Sequence, residues 1–308
     1  MAIALFTVLL WTPLPDAMGQ APDRTRVPKD LVQSLTKRVD LTYARYGDRQ
    51  LKLDLYRPSD TKKPLPAIVC IHGGGWFKGD RSSMTNSAQV LASRGYVTVT
   101  ISYRLSGEAK FPAAIRDCKA SVRWLRANAE QYGIRPDSIG VVGLSAGGHL
   151  AALLTSSHGM EYLEGDGGYS DQSSVVQAGV AMGAQSDLET DRIIEQSSRE
   201  DDPFYRPFLG GSFEEVPLQY AAASPRHHFD TTDPPLLFIT GERDHVSTRA
   251  EPSRAHLKRL RIETGLVVLD DAPHAFLGRQ RAFDACVQAC DEFFSKHLKR
   301  EEPKAESK

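Results

Sequence analysis

Ile139-Gly140-Val141-Val142-Gly143-Leu144-Ser145-Ala146-Gly147-Gly148-His149-Leu150-Ala151-Ala152-Leu153-Leu154 is the stretch that decides the fold. A short apolar run enters the pentapeptide Gly143-Leu144-Ser145-Ala146-Gly147 and a helix-forming run leaves it, so a buried strand turns sharply into a helix around one serine. The flanking glycines are needed because side chains there would collide with the strand and helix backbones. The turn is strained, and it lifts the Ser145 hydroxyl above the sheet.

A serine hydroxyl is a poor nucleophile near neutral pH. It needs a base to take its proton, an acid to orient that base and donors for the oxyanion. Upstream, Ala67-Ile68-Val69-Cys70-Ile71 reads as a buried strand running into His72-Gly73-Gly74-Gly75-Trp76. Three consecutive glycines leave backbone amides uncovered and able to approach a developing negative charge. Taken alone, the run is a flexible turn after a strand; with a serine elbow downstream it reads as an oxyanion loop.

The two motifs together resemble the α/β-hydrolases of the hormone-sensitive-lipase-like esterase group. Within that group the chain is most similar to bacterial esterases that remove acetyl and feruloyl groups from xylan. The likeness runs from about Leu51 to about His297, with its specific motifs in four short stretches. It implies a Ser-Asp/Glu-His triad in that chain order, no metal or other cofactor, and an oxyanion hole of glycine amides plus the amide after the serine. Carried over by position, the donors are Gly74, Gly75 and Ala146, with Trp76 an alternative to one of the glycines.

That order restricts the acid and the base. Leu236-Leu237-Phe238-Ile239-Thr240 reads as a strand, and the loop leaving it carries Glu242 and Asp244. Catalytic side chains of such sheets gather beyond the carboxyl ends of the strands. Asp244 is the expected acid by its resemblance to the family pattern, and Glu242, nearer the strand end, is the second choice. Leu266-Val267-Val268-Leu269 forms the next strand and leads to His274, which alone joins the right chain order to a strand-end loop. Among the other histidines, His149 reads as helix packing beneath the site and His72 as a hydrogen-bonded support of the glycine loop. His245 reads as a surface residue, and His227 and His228 fall in a covering segment. His158, His256 and His297 sit among polar residues and carry no signal.

Composition bounds the rest. At 308 residues the chain buries one substantial core, expected as a single domain over 22–300. The formal net charge is -1 with basic and acidic residues interspersed, so nucleic acid is not an expected partner. No internal stretch approaches the ~20 apolar residues that cross a bilayer. Residues 1–21 contain an apolar run of signal-peptide length, although no Lys or Arg precedes it. The expectation is export to the periplasm or beyond, with an apolar arm packed on the fold as the alternative. Residues 301–308 are charged and expected to be disordered.

Leu51-Lys52-Leu53-Asp54-Leu55-Tyr56 alternates as a half-exposed, antiparallel strand should. Later apolar runs alternate with helical segments and read as strands buried on both faces of a mainly parallel sheet, with helices on each side. Two stretches, 156–174 and 184–235, break the alternation. The second lies between the strand after the serine and the strand before the acid, and is expected as a partial lid. Its Phe204, Tyr205 and Phe208 read either as receivers of an aromatic acyl group or as packing against the body. Asp166, Asp171 and Asp187 lack calcium-loop spacing and read as solvated. Cys70 reads as an inert core thiol, and Cys286 and Cys290 share a helix face, leaving a Cys118 bridge to either one open.

The expectation is therefore ester hydrolysis through an acyl-enzyme, on a small-molecule or polysaccharide substrate such as acetylated or feruloylated xylan. The nearer alternative is an amidase resembling N-formylkynurenine formamidase. A catalytically silent binding module on the same fold is the other.

Overall fold

The computed structural model describes residues 25–245 and 250–299. The expected export segment 1–21 and tail 301–308 lie outside the described residues. Eight strands form one sheet: β1 (Leu35–Tyr46), β2 (Arg49–Pro58), β3 (Leu65–Ile71), β4 (Val97–Ile101), β5 (Ile134–Leu144), β6 (Ala178–Met182), β7 (Leu236–Gly241) and β8 (Thr264–Leu269). Their order is β1-β2-β4-β3-β5-β6-β7-β8. The pairs β1/β2 and β2/β4 are antiparallel and every other pair is parallel. This is the α/β-hydrolase arrangement expected from the motifs.

The two-residue period of a strand sends neighbouring side chains to opposite faces, and β3 uses both. Ala67, Val69 and Ile71 enter a core with the helices Ala113–Ala127 and Ala146–Ser156. Ile68 and Cys70 enter a second core, on the other face, with the helices Thr85–Ser93 and Gln280–Leu298. Because both faces are covered, the central strands are continuously apolar rather than alternating. Cys118 belongs to the first core and Cys286 and Cys290 to the second, so the sheet separates them. The bridge left open by the sequence is not made: all four cysteines are free and buried.

Two strand expectations need correction, and one strand was missed. β2 is not half-exposed, because Asp54 and Tyr56 on its polar side are also buried; Asp54 accepts the Asp40 amide at 2.9 Å and pairs with Arg81 at 3.1 Å. β8 is not buried on both faces: it is the sheet edge, and Val268 is exposed. β1 escaped notice because it is the opposite edge, polar and interrupted by two register shifts.

The stretch 156–174 closes over the helix Ala113–Ala127. That helix buries Asp117, Lys119 and Arg123 as well as its apolar stripe. Glu164 takes the Lys119 ammonium at 2.6 Å and the Arg123 guanidinium at 3.3 Å, while Arg104 forks onto Asp117 with its shortest contact at 2.7 Å. Buried charges persist only when partnered in this way. Burial raises the Asp117 carboxyl despite Arg104, and burial lowers the Lys119 ammonium against the pull of Glu164.

Residues 184–235 carry the helices Asp191–Ser198, Tyr205–Leu209 and Pro217–Ala223. Its polar cluster is not all solvated. Asp202 is buried and accepts the amides of Tyr205 and Arg206 at 2.7 and 2.8 Å, satisfying the orphan donors of a helix start. Asp187 is also buried, paired with Arg226, contrary to its reading as a solvated carboxylate.

Candidate active site

β5, β7 and β8 run parallel, so the residues following them meet at one rim of the sheet. Ser145 follows β5 at φ 59° and ψ −119°, the strained turn expected of the pentapeptide. Its amide donates to the Met182 carbonyl of β6 at 2.7 Å, which pins the turn to the sheet. The flanking glycine at 147 is obligatory in this packing: a Cβ there would lie 2.2 Å from the Ile71 carbonyl oxygen.

The loops after β7 and β8 are stitched together, with the Glu242 amide donating to Leu269 O at 2.9 Å and the Arg243 amide to Ala272 O at 3.1 Å. This alignment brings Asp244 under His274. The His274 Nδ1–H donates to Asp244 Oδ2 at 2.6 Å, and the Ser145 hydroxyl donates to His274 Nε2 at 2.8 Å. Asp244 is buried while the imidazole is partly open to the cleft. The alternative acid, Glu242, is turned away and accepts the Asp271 amide at 2.9 Å.

β3 delivers the glycine run to the same rim. Gly74, Gly75 and Trp76 have φ of 114°, 61° and 63°. This left-handed backbone turns the loop over the elbow. The Gly74 carbonyl accepts the Phe77 and Lys78 amides at 3.3 and 3.1 Å. The amides of Gly74, Gly75 and Ala146 make no hydrogen bond to another described residue, and all three residues line the cleft that holds Ser145 and His274. Trp76 lines it too.

His72 supports the loop as expected, with its Nδ1 2.7 Å from Gly73 O and its ring stacked 4.3 Å from that of Tyr103. Burial lowers its pKa. His149 does more than pack. It is fully buried, its Nε2–H donates to Ala223 O at 2.7 Å, and its Nδ1 accepts the Trp76 indole N–H at 3.2 Å. It thereby joins the serine helix, the glycine loop and the segment 184–235. Burial pushes its pKa down to about 4.

The three aromatics divide. Phe208 is buried against Trp76, rings 4.5 Å apart and nearly parallel, so it packs rather than receives. Phe204 and Tyr205 line the cleft, which has a volume of about 750 Å³. His158 and His297, read as featureless, pair with Asp233 at 3.2 Å and Glu263 at 3.3 Å. Burial pushes the Asp233 carboxyl up to about 7. Gly183 was missed altogether. At φ 54°, a backbone conformation that favours glycine, a Cβ on it would sit 3.1 Å from both Asp244 Oδ2 and His274 Cε1 and crowd the Asp244–His274 pair.

The BD-FAE family profile matches residues 53–257. The chain belongs to the BD-FAE family. Its match to esterase LipC of Mycobacterium tuberculosis is 34% identical over 240 residues, covering 75% of this chain and 58% of LipC. The chain thus spans little more than half of that relative. A truncated carbohydrate esterase from gut microbiota, 24% identical, superposes with a TM-score of 0.73 over 86% of this chain and 97% of the other, a likeness of fold. The propionate-bound esterase Est2 of Thermogutta terrifontis is 26% identical, with a TM-score of 0.69 over 86% of this chain and 96% of that one. Membership of BD-FAE agrees with the resemblance drawn from the glycine loop and the serine elbow. Among the described residues, no helix of this BD-FAE member is long and apolar enough to cross a membrane.

Proposed function

We propose that this chain is a serine carboxylesterase acting on short-chain acyl or feruloyl esters, those of plant polysaccharides included, with residues 184–235 covering the substrate. The observation that carries the reading is the unbroken relay from Ser145 Oγ through His274 to Asp244, with contacts of 2.8 and 2.6 Å. The esterase names of the relatives support it.

In this mechanism Ser145 Oγ attacks the ester carbonyl carbon while His274 Nε2 takes the hydroxyl proton. Asp244 holds the Nδ1–H tautomer and stabilises the imidazolium that forms. The amides of Gly74, Gly75 and Ala146 receive the charge of the tetrahedral oxyanion, each donor contributing about 2.7–4 kcal/mol to the transition state. Collapse breaks the bond to the leaving alcohol, which departs with the proton from His274. Water, deprotonated by the same imidazole, then releases the acid and restores the hydroxyl. A cleft of about 750 Å³ is far larger than an acetyl group and accommodates an aryl acyl group or a sugar unit.

Ser145→Ala is expected to remove turnover of p-nitrophenyl acetate to the level left by the oxyanion donors alone. Wild-type rates in that variant would refute the nucleophile. Activity confined to long-chain esters would refute the polysaccharide substrates.

A further inference from the structure

The walls of the cleft are unbalanced in charge. Lys78 and Arg192 line it, and among the described residues no Asp or Glu does. Other arginines of the segment 184–235 have partners: Arg199 pairs with Glu195, Arg206 with Glu215 and Arg226 with Asp187. Arg192, on the helix Asp191–Ser198, makes no hydrogen bond or ion pair with any described residue. The Lys78 ammonium sits 5.2 Å over the Phe77 ring and meets no described carboxylate. Asp244 is buried behind His274 and its charge is engaged there.

A guanidinium offers a planar fork of donors that matches a carboxylate, and a second cation on the same cleft adds to the field there. We infer that the preferred substrate is an ester bearing a carboxylate, in its acyl or its alcohol half, seated by Arg192 with Lys78 as the second cation. This deepens the esterase reading and rests on it. The oxyanion donors and the relay handle the scissile ester, while Arg192 and Lys78 recognise a charge elsewhere on the molecule. Neutral esters lose that contact and keep the chemistry.

The test compares two matched pairs at low salt. For the acyl half, p-nitrophenyl hydrogen glutarate is set against p-nitrophenyl 4-carbamoylbutyrate, its neutral isostere. For the alcohol half, acetylated methyl glucuronoside is set against acetylated methyl glucoside. At least one pair is expected to favour the anion in kcat/KM by roughly fivefold, the upper end for a solvent-exposed ion pair. That ratio is expected to fall towards one in 0.5 M NaCl and in Arg192→Gln, and below one in Arg192→Glu. A ratio divides out any general loss from misfolding. Ratios of one or less in both wild-type pairs, or a preference that Arg192→Gln and Arg192→Glu leave intact, would overturn the assignment. If no ester is turned over at all, p-nitrophenyl acetate included, it is the esterase reading that fails instead.

Discussion

Acidification should reach this fold through His149. In the native state one tautomer satisfies both ring nitrogens: Nε2–H gives its proton to Ala223 O, and Nδ1 accepts from the Trp76 indole. A second proton would place Nδ1–H against the indole N–H in a site with no solvent exposure. Burial accordingly holds the pKa near 4, partly opposed by the bond to Ala223, against about 6.5 for an unfolded histidine. Between those values the unfolded chain binds a proton that the folded chain refuses. Stability from this group is therefore complete above pH 6.5 and lost as pH falls towards 4. At 1.36 kcal/mol per unit, the loss is about 3 kcal/mol, a large share of the margin of a typical domain.

Urea unfolding followed by tryptophan fluorescence at pH 7, 5.5 and 4 measures it. The comparison is His149→Asn, whose side-chain oxygen accepts from Trp76 but does not titrate. The variant starts less stable because the Ala223 carbonyl loses its donor, yet its decline with acid should be shallower than the wild-type decline by about 3 kcal/mol over the range. Carboxylates titrate in both proteins and cancel. Parallel curves would refute the reasoning, placing the native His149 pKa near its ordinary value.

Asp244→Asn is expected to lower kcat on p-nitrophenyl acetate by about 10⁴, since the amide favours the wrong imidazole tautomer. Glu242→Gln, which loses only an exposed loop contact, is expected to stay within threefold of wild type, and reversal of that pattern would exchange the acids. Glu164→Ala leaves the buried Lys119 ammonium with the Ser157 carbonyl at 2.6 Å as its acceptor and no counter-charge, and should cost about 3–5 kcal/mol, read as a lowered Tm. Thiol titration with Ellman's reagent should find no reactive cysteine in the native protein and four after denaturation without reductant, because all four are free and buried.

How much of this was legible in the sequence follows from the range of each interaction. The placement of Ser145, the glycine run and His274 at one rim could be read because strand, turn and helix are set by neighbours a few residues apart, and because the chain order implied by the resemblance leaves few positions to consider. Asp244 was preferred to Glu242 only through the resemblance to the family pattern, because the side-chain direction at a loop is not set by local sequence. Gly183 lies outside every motif, and its only signal was a glycine directly after an apolar strand. The role of His149 was hidden for a different reason. Its partners, Trp76 and Ala223, stand 73 and 74 positions away, so periodicity showed a buried face and nothing of what the face held. Lys119 and Glu164 were concealed likewise. Buried polar groups are specified by partners brought together only when the chain folds, and here they tie the long irregular segments to the sheet. The loops that sequence pattern read least well are therefore the ones that hold the glycine run and the cleft in place, which is why acid acting on one imidazole should loosen both.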